Sequence, residues 1–252
     1  MITRLLSAAL LAGLVAGLAT SAIQHAVTVP VIQAAETYEQ SATAPAMPAP
    51  AATAPAATTG HHDHAMTGVA DHDHGHEHDP NAWAPANGFE RILFTTIATV
   101  AASVGFALVL LAGMIAANDQ PTPRRALAWA AGGFAAFSLA PAMGLSPELP
   151  GMEAAPILAR QLWWAAMVAA TAGGLWLAIR GGKPMAILGG IILIALPHLI
   201  GAPTIAVTAT SGVPAELASR FAASVLGVAA IMWALIGAGV GYAWQRLEKS
   251  VA

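Results

Sequence analysis

With 252 residues, 57% of them hydrophobic and only 9% charged, and a mean hydropathy of +0.65, the chain lies outside the range of ordinary soluble domains. Its formal net charge is −3 and it has no basic cluster, which argues against a nucleic-acid partner, and the absence of cysteine removes the thiolate sites that hold structural zinc. What remains is an all-α polytopic membrane protein.

The first element is an almost unbroken apolar run from Leu5 to Ile32, after a single Arg4. It is interrupted by small residues and by Gln24, His25 and Thr28. About twenty apolar residues span a bilayer, so residues 1–34 read as a first, long or tilted transmembrane helix. The small-residue patch at Thr20–Ala22 is also a signal-peptide feature, but the apolar character continues past it, which favours a retained helix.

Residues 35–90 form the one long polar segment. Its middle is Ala/Pro/Thr without periodicity, an extended spacer. Between Gly60 and Asp79 stand His61, His62, His64, His72, His74, His76 and His78, seven of the chain's nine histidines, interleaved with Asp63, Asp71, Asp73, Glu77 and Asp79. No packed core needs imidazole at that density, whereas a divalent transition metal does: neutral imidazole suits Zn, Ni, Cu and Fe, and carboxylates add harder ligands or orient the rings. The expected behaviour is loose, reversible capture that fades as pH falls through the histidine range near ~6.5. A solubilising linker is the competing reading of the same composition.

Five further apolar runs follow in residues 91–252: Ile92–Ala117, Ala126–Leu145, Leu162–Ile179, Pro184–Ala202 and Phe221–Ala243. Short connections make them antiparallel hairpins, giving about six spans in all. With the N-terminus cytoplasmic, Arg4, Arg124, Arg125, Arg180, Lys183, Arg246 and Lys249 fall inside and only Arg91, Arg160 and Arg220 outside, so both termini are expected in the cytoplasm and the histidine loop outside. A weak repeat places a proline (Pro30, Pro141, Pro197) at the outer end of each rising helix and an arginine at the outer start of each descending one.

Candidate sites within the membrane lie beside those prolines. His198, wedged in an otherwise apolar run, is the leading relay candidate; His25 stands near Pro30, Met143 near Pro141, and Glu36, with Glu39, at the outer mouth of the first helix. Gly13/Gly17 and Gly237/Gly241 are small-residue faces for close helix packing. There is no phosphate-binding loop of the Walker type, and no nucleophile–base pair lies within the spans, so neither ATP hydrolysis nor another enzymatic activity is expected.

Several stretches taken in order resemble one family. They are Arg4-Leu5-Leu6, Ala35-Glu36-Thr37-Tyr38-Glu39, Trp83-Ala84-Pro85, Gly88-Phe89-Glu90-Arg91, Phe137-Ser138-Leu139-Ala140-Pro141, Glu148-Leu149-Pro150-Gly151, Arg160-Gln161-Leu162-Trp163-Trp164, Pro197-His198-Leu199-Ile200-Gly201-Ala202-Pro203 and Pro214-Ala215-Glu216-Leu217. Over nearly the whole chain this set is similar to the CbtA family. The resemblance implies a bacterial inner-membrane cobalt transporter subunit with five spans, linked to cobalamin-related regulation. It also implies a small His-containing membrane partner of the CbtB type. On that basis the expected function is uptake of Co²⁺ as substrate, with no tightly bound cofactor and possible homo-oligomers. The alternatives are a non-transporting metal sensor or chaperone, or a nickel or zinc transporter, because divalent affinities rise through Co, Ni and Cu for almost any ligand set.

Overall fold

Small residues decide how the helices meet. The computed structural model describes residues 2–43, 85–204 and 212–249, and their regular structure is entirely helical. Helix α1 (Ile2–Val27) and α3 (Phe89–Ala116) run antiparallel in close contact: a β carbon on Gly17 would lie 2.6 Å from Val100 Cα, and one on Gly13 would collide with Val104. Ala8, Ala9, Ala12 and Ala16 are buried on the same helix, while Leu10, Leu11, Leu14, Val15 and Leu18 are exposed. That pattern inverts a soluble helix. Between helices the bilayer offers no hydrophobic drive, so small residues make the contacts and the large apolar ones face lipid.

The last helix, α7 (Ala215–Lys249), lies antiparallel to α1, with Gly239 against Ala12 and Arg4 against Glu248, and antiparallel to α4 (Pro123–Gly144), with Gly237 against Ala126 and Ala130. Helices α1, α3, α4 and α7 thus enclose one core that contains Leu111, Met114, Ile236 and Val240, all with essentially no exposure. A hairpin of α5 (Ile157–Arg180) and α6 (Pro184–Ile200) closes where Gly174 and Gly190 meet, and it leans on the middle of α4 through α5. Among the described helices α6 packs chiefly on α5.

Among the described residues five helices are long and apolar enough to cross a membrane: α1, α3, α4, α5 and α7. The remaining apolar run, Pro184–Ala202, is also helical, but α6 has only 17 residues, at the lower limit of the ~17–25 that a span requires. The helical limits differ most at the first run. Beyond Ile32 the chain stays helical as α2 (Val29–Thr43), so the helix carries Glu36 and Glu39 well past the apolar limit. Pro30 cannot donate a backbone hydrogen bond, and the break between α1 and α2 falls just before it, at Thr28. Pro141 is accommodated by a widened turn over Ala135–Leu139, in which Ala140 N–H reaches back to Ala135 O. Pro197 sits inside α6, which ends within one turn at Ile200.

The packing sorts the charged residues into two ends. Arg4 meets Glu248, Pro123 meets Gly241, and Arg180 donates to Ala117 O at 3.2 Å, so residues near 4, 117–125, 180 and 241–249 share one end, here the basic end. At the other, the loop end, Val31 and Ala35 cluster with Leu149, Val213 and Phe221.

Candidate functional site

The polar residues that interrupt α1 meet polar residues of α3. Thr96 Oγ1 donates to Ile92 O at 2.7 Å, so its single hydrogen is used and Ser21 Oγ must be the donor in the 2.7 Å contact between the two hydroxyls. Thr99 Oγ1 donates to Gln24 Oε1 at 2.8 Å. Gln24 can reach it because helical side chains lean toward their own N-terminus.

His25 belongs to the same seam. Its Nδ1 lies 2.7 Å from Ser21 O. A carbonyl cannot donate, so Nδ1 carries a hydrogen, and in the neutral ring Nε2 then presents a lone pair. Nε2 is buried and has no hydrogen-bond partner among the described residues, and the same holds for the hydroxyls of Thr20, Thr28 and Ser103. An unsatisfied buried polar atom costs on the order of 1–3 kcal/mol. A ring held through Nδ1 by a backbone carbonyl with Nε2 open is the arrangement of a metal-ligating histidine.

The other candidates lie elsewhere. His198, half-buried on α6, meets the Trp163 ring edge-on at 6.4 Å between centroids. Trp163 in turn lines a cavity of about 480 Å³ between α4, α5 and α7 at the loop end, bordered by the Arg160–Glu148 ion pair at 2.7 Å. Met143 is 71% exposed. Glu36 pairs with Arg91 through both carboxylate oxygens, Arg91 Nη1 to Oε2 measuring 3.1 Å, and Arg91 also donates to Asn87 Oδ1 at 2.8 Å. The structure therefore brings His25 and Glu36 onto one helical path and places His198 on another. His61, His62, His64, Asp71, His72, Asp73, His74, His76, Glu77 and His78 lie outside the described residues. Among the described residues no group of three or more His, Cys, Asp or Glu could hold a metal ion.

A second cavity, of about 680 Å³, opens at the basic end between α3, α4 and α5. Asp119 at its rim accepts from Trp129 Nε1 at 2.9 Å and from Arg125 at 2.7 Å. The Trp129 N–H, and then the charge of Arg125, hold the Asp119 carboxyl below the usual carboxylate range. The two cavities share Phe137, whose ring meets Phe106 edge-on and Trp164 and Trp233 at a tilt.

The model of a family described as "Probable cobalt transporter subunit (CbtA)" matches residues 2–245, nearly the whole chain. The chain belongs to the CbtA family. Searches of curated proteins and of solved structures returned no match. The CbtA match takes in α1, the polar seam and both cavities, so each is part of the family's own span. Sequence reasoning singled out His25 but not its companions Ser21, Thr96 and Thr99. The signal was present in residues 20, 21, 24, 25 and 28, which fall on adjoining positions of one helix, as do residues 96, 99 and 103.

Proposed function

We propose that this CbtA-family chain is the membrane subunit of a cobalt uptake system, in which the His/Asp-rich segment outside the membrane captures Co²⁺ and the bundle passes it inward. A small His-bearing membrane subunit is part of the same proposal, as are an inner-membrane location with cytoplasmic termini and the loop ligands His61 to His78. The observation that supports the intramembrane step is the open, buried Nε2 of His25 on the same stretch of α1 that carries the Ser21–Thr96 and Gln24–Thr99 hydrogen bonds. One neutral imidazole with neutral oxygens replaces part of a hydration shell without the carboxylates that would retain a hard cation. Such a site favours transit over storage.

Labelled Co²⁺ uptake into cells that express the chain with its partner tests this. His25→Gln keeps a hydrogen-bonding side chain and removes the imidazole, so uptake falls tenfold or more while the amount of protein in the membrane is unchanged. His198→Gln, made in parallel, retains most of the uptake. If His198→Gln alone loses transport, the intramembrane ligand belongs on α6. If both variants transport like the parent, no histidine of the bundle meets the metal. If the unaltered chain binds Co²⁺ but transports none, it is a sensor or chaperone.

A further inference from the structure

We propose that the cavity at the basic end is a binding site for an anionic phospholipid, with an acyl chain in the cavity and the phosphate at Arg180. This does not depend on the metal reading. The cavity walls are apolar, contributed by Leu110, Gly132, Ala136 and Leu175 among others, and its rim is not. At the rim, Asp119 offsets the charge of Arg125 through their 2.7 Å ion pair. Arg180 makes no ion pair of its own among the described residues: it donates to Ala117 O, lies over the Trp176 ring at 4.9 Å, and shares with Arg125 the field of the single carboxylate Asp119. One positive charge is therefore left over, presented by a planar donor suited to phosphate.

Depth supports the same occupant. Arg180 ends α5, Asp119 follows α3 and Arg125 lies in the first turn of α4, so the rim stands at headgroup level. Trp129 and Trp176 flank it, as interfacial aromatics do. From Arg125 the cavity follows α4 inward to Phe137, a rise of ~18 Å at 1.5 Å per residue, slightly more than half of a ~30 Å hydrocarbon core. A free anion would leave the apolar volume empty. Basic pockets between transmembrane helices are recognised sites for anionic lipid headgroups.

The test uses the full chain purified in detergent, with thermal unfolding and native mass spectrometry as readouts. Added phosphatidylglycerol raises the unfolding midpoint by about 5 °C or more and stays bound at one per chain, whereas phosphatidylcholine and inorganic phosphate do neither. Gly132→Leu fills the cavity without touching a charge, since the nearest atom to a β carbon there is Leu175 Cδ1 at 4.0 Å, and it abolishes the shift. Arg180→Gln removes the preference for phosphatidylglycerol over phosphatidylcholine, and Arg180→Lys keeps part of it. Equal stabilisation by both lipids, or a full shift with Gly132→Leu or Arg180→Gln, overturns the proposal. A shift with inorganic phosphate alone also overturns it, in favour of a simple anion site.

Discussion

At the scale of single residues, the two intramembrane histidines show what hydropathy can and cannot convey. Both stand out as ionisable residues in apolar runs, and on that measure His198 is the stronger candidate, because α6 has a higher mean hydropathy around it. Yet α6 packs chiefly on α5, and its apolar character serves lipid contact as much as burial in protein. An apolar run looks the same whether it faces lipid or a neighbouring helix, so the sequence marks an unusual residue without saying what surrounds it. His25 is the reverse case, its surroundings written in the polar positions four and one before it and three after it. Asp119 carries a prediction of its own. Its folded carboxyl titrates below the unfolded value near ~3.9, so the stability it contributes is present above about pH 4 and is lost as pH falls through the lower, folded value. Asp119→Asn should lower the unfolding midpoint at neutral pH and flatten its decline in acid, as measured by thermal scans across pH. An unchanged acid profile would mean that Asp119 is not the group responsible.

At the scale of elements, the glycine pairs at 13/17 and 237/241 were readable from spacing, and each lies in a close helix contact, α1 on α3 and α7 on α4. A leucine at Gly17 forces the β carbon against Val100 backbone, and overpacking of this kind costs typically ~1–3 kcal/mol or more. Gly17→Leu should therefore sharply reduce the folded protein recovered in detergent, while Gly105→Ala, which meets nothing within 4 Å, should not. Size-exclusion profiles of the two variants would decide it, and similar profiles would mean that the α1–α3 contact is not tight. The prolines were equally visible, but their consequences were not. Removing one backbone donor permits a break, a widened turn or an early end, and Pro30, Pro141 and Pro197 have one each. Which outcome follows depends on the neighbouring helices. Near Pro141 the neighbour is Trp163, whose ring would collide with any β carbon on Gly144.

At the scale of the whole molecule, the number of apolar helices and the separation of charged ends followed from composition and from the short connections. The division into a four-helix core and a leaning hairpin did not, because every apolar run can in principle face either lipid or protein. The histidine segment makes a prediction at this scale. Deleting Gly60 to Asp79 should raise the Co²⁺ concentration for half-maximal uptake severalfold with little change in maximal rate, because a tethered ligand array raises local concentration without forming the path. Abolished uptake at saturating Co²⁺ would instead make the segment part of that path. Finally, the core joins α1 to α7, the earliest and the latest of the described helices in chain order, and Arg4 meets Glu248 across 244 residues. Synthesis runs from the N-terminus, so α1 must enter the membrane long before its second neighbour exists. Until the ribosome has passed Gly239, the surface of Ala12 that belongs against α7 has only lipid or a borrowed helix to cover it. Assembly of the bundle is therefore a late event, and a chain stalled before that point is a natural target for membrane chaperones and proteases.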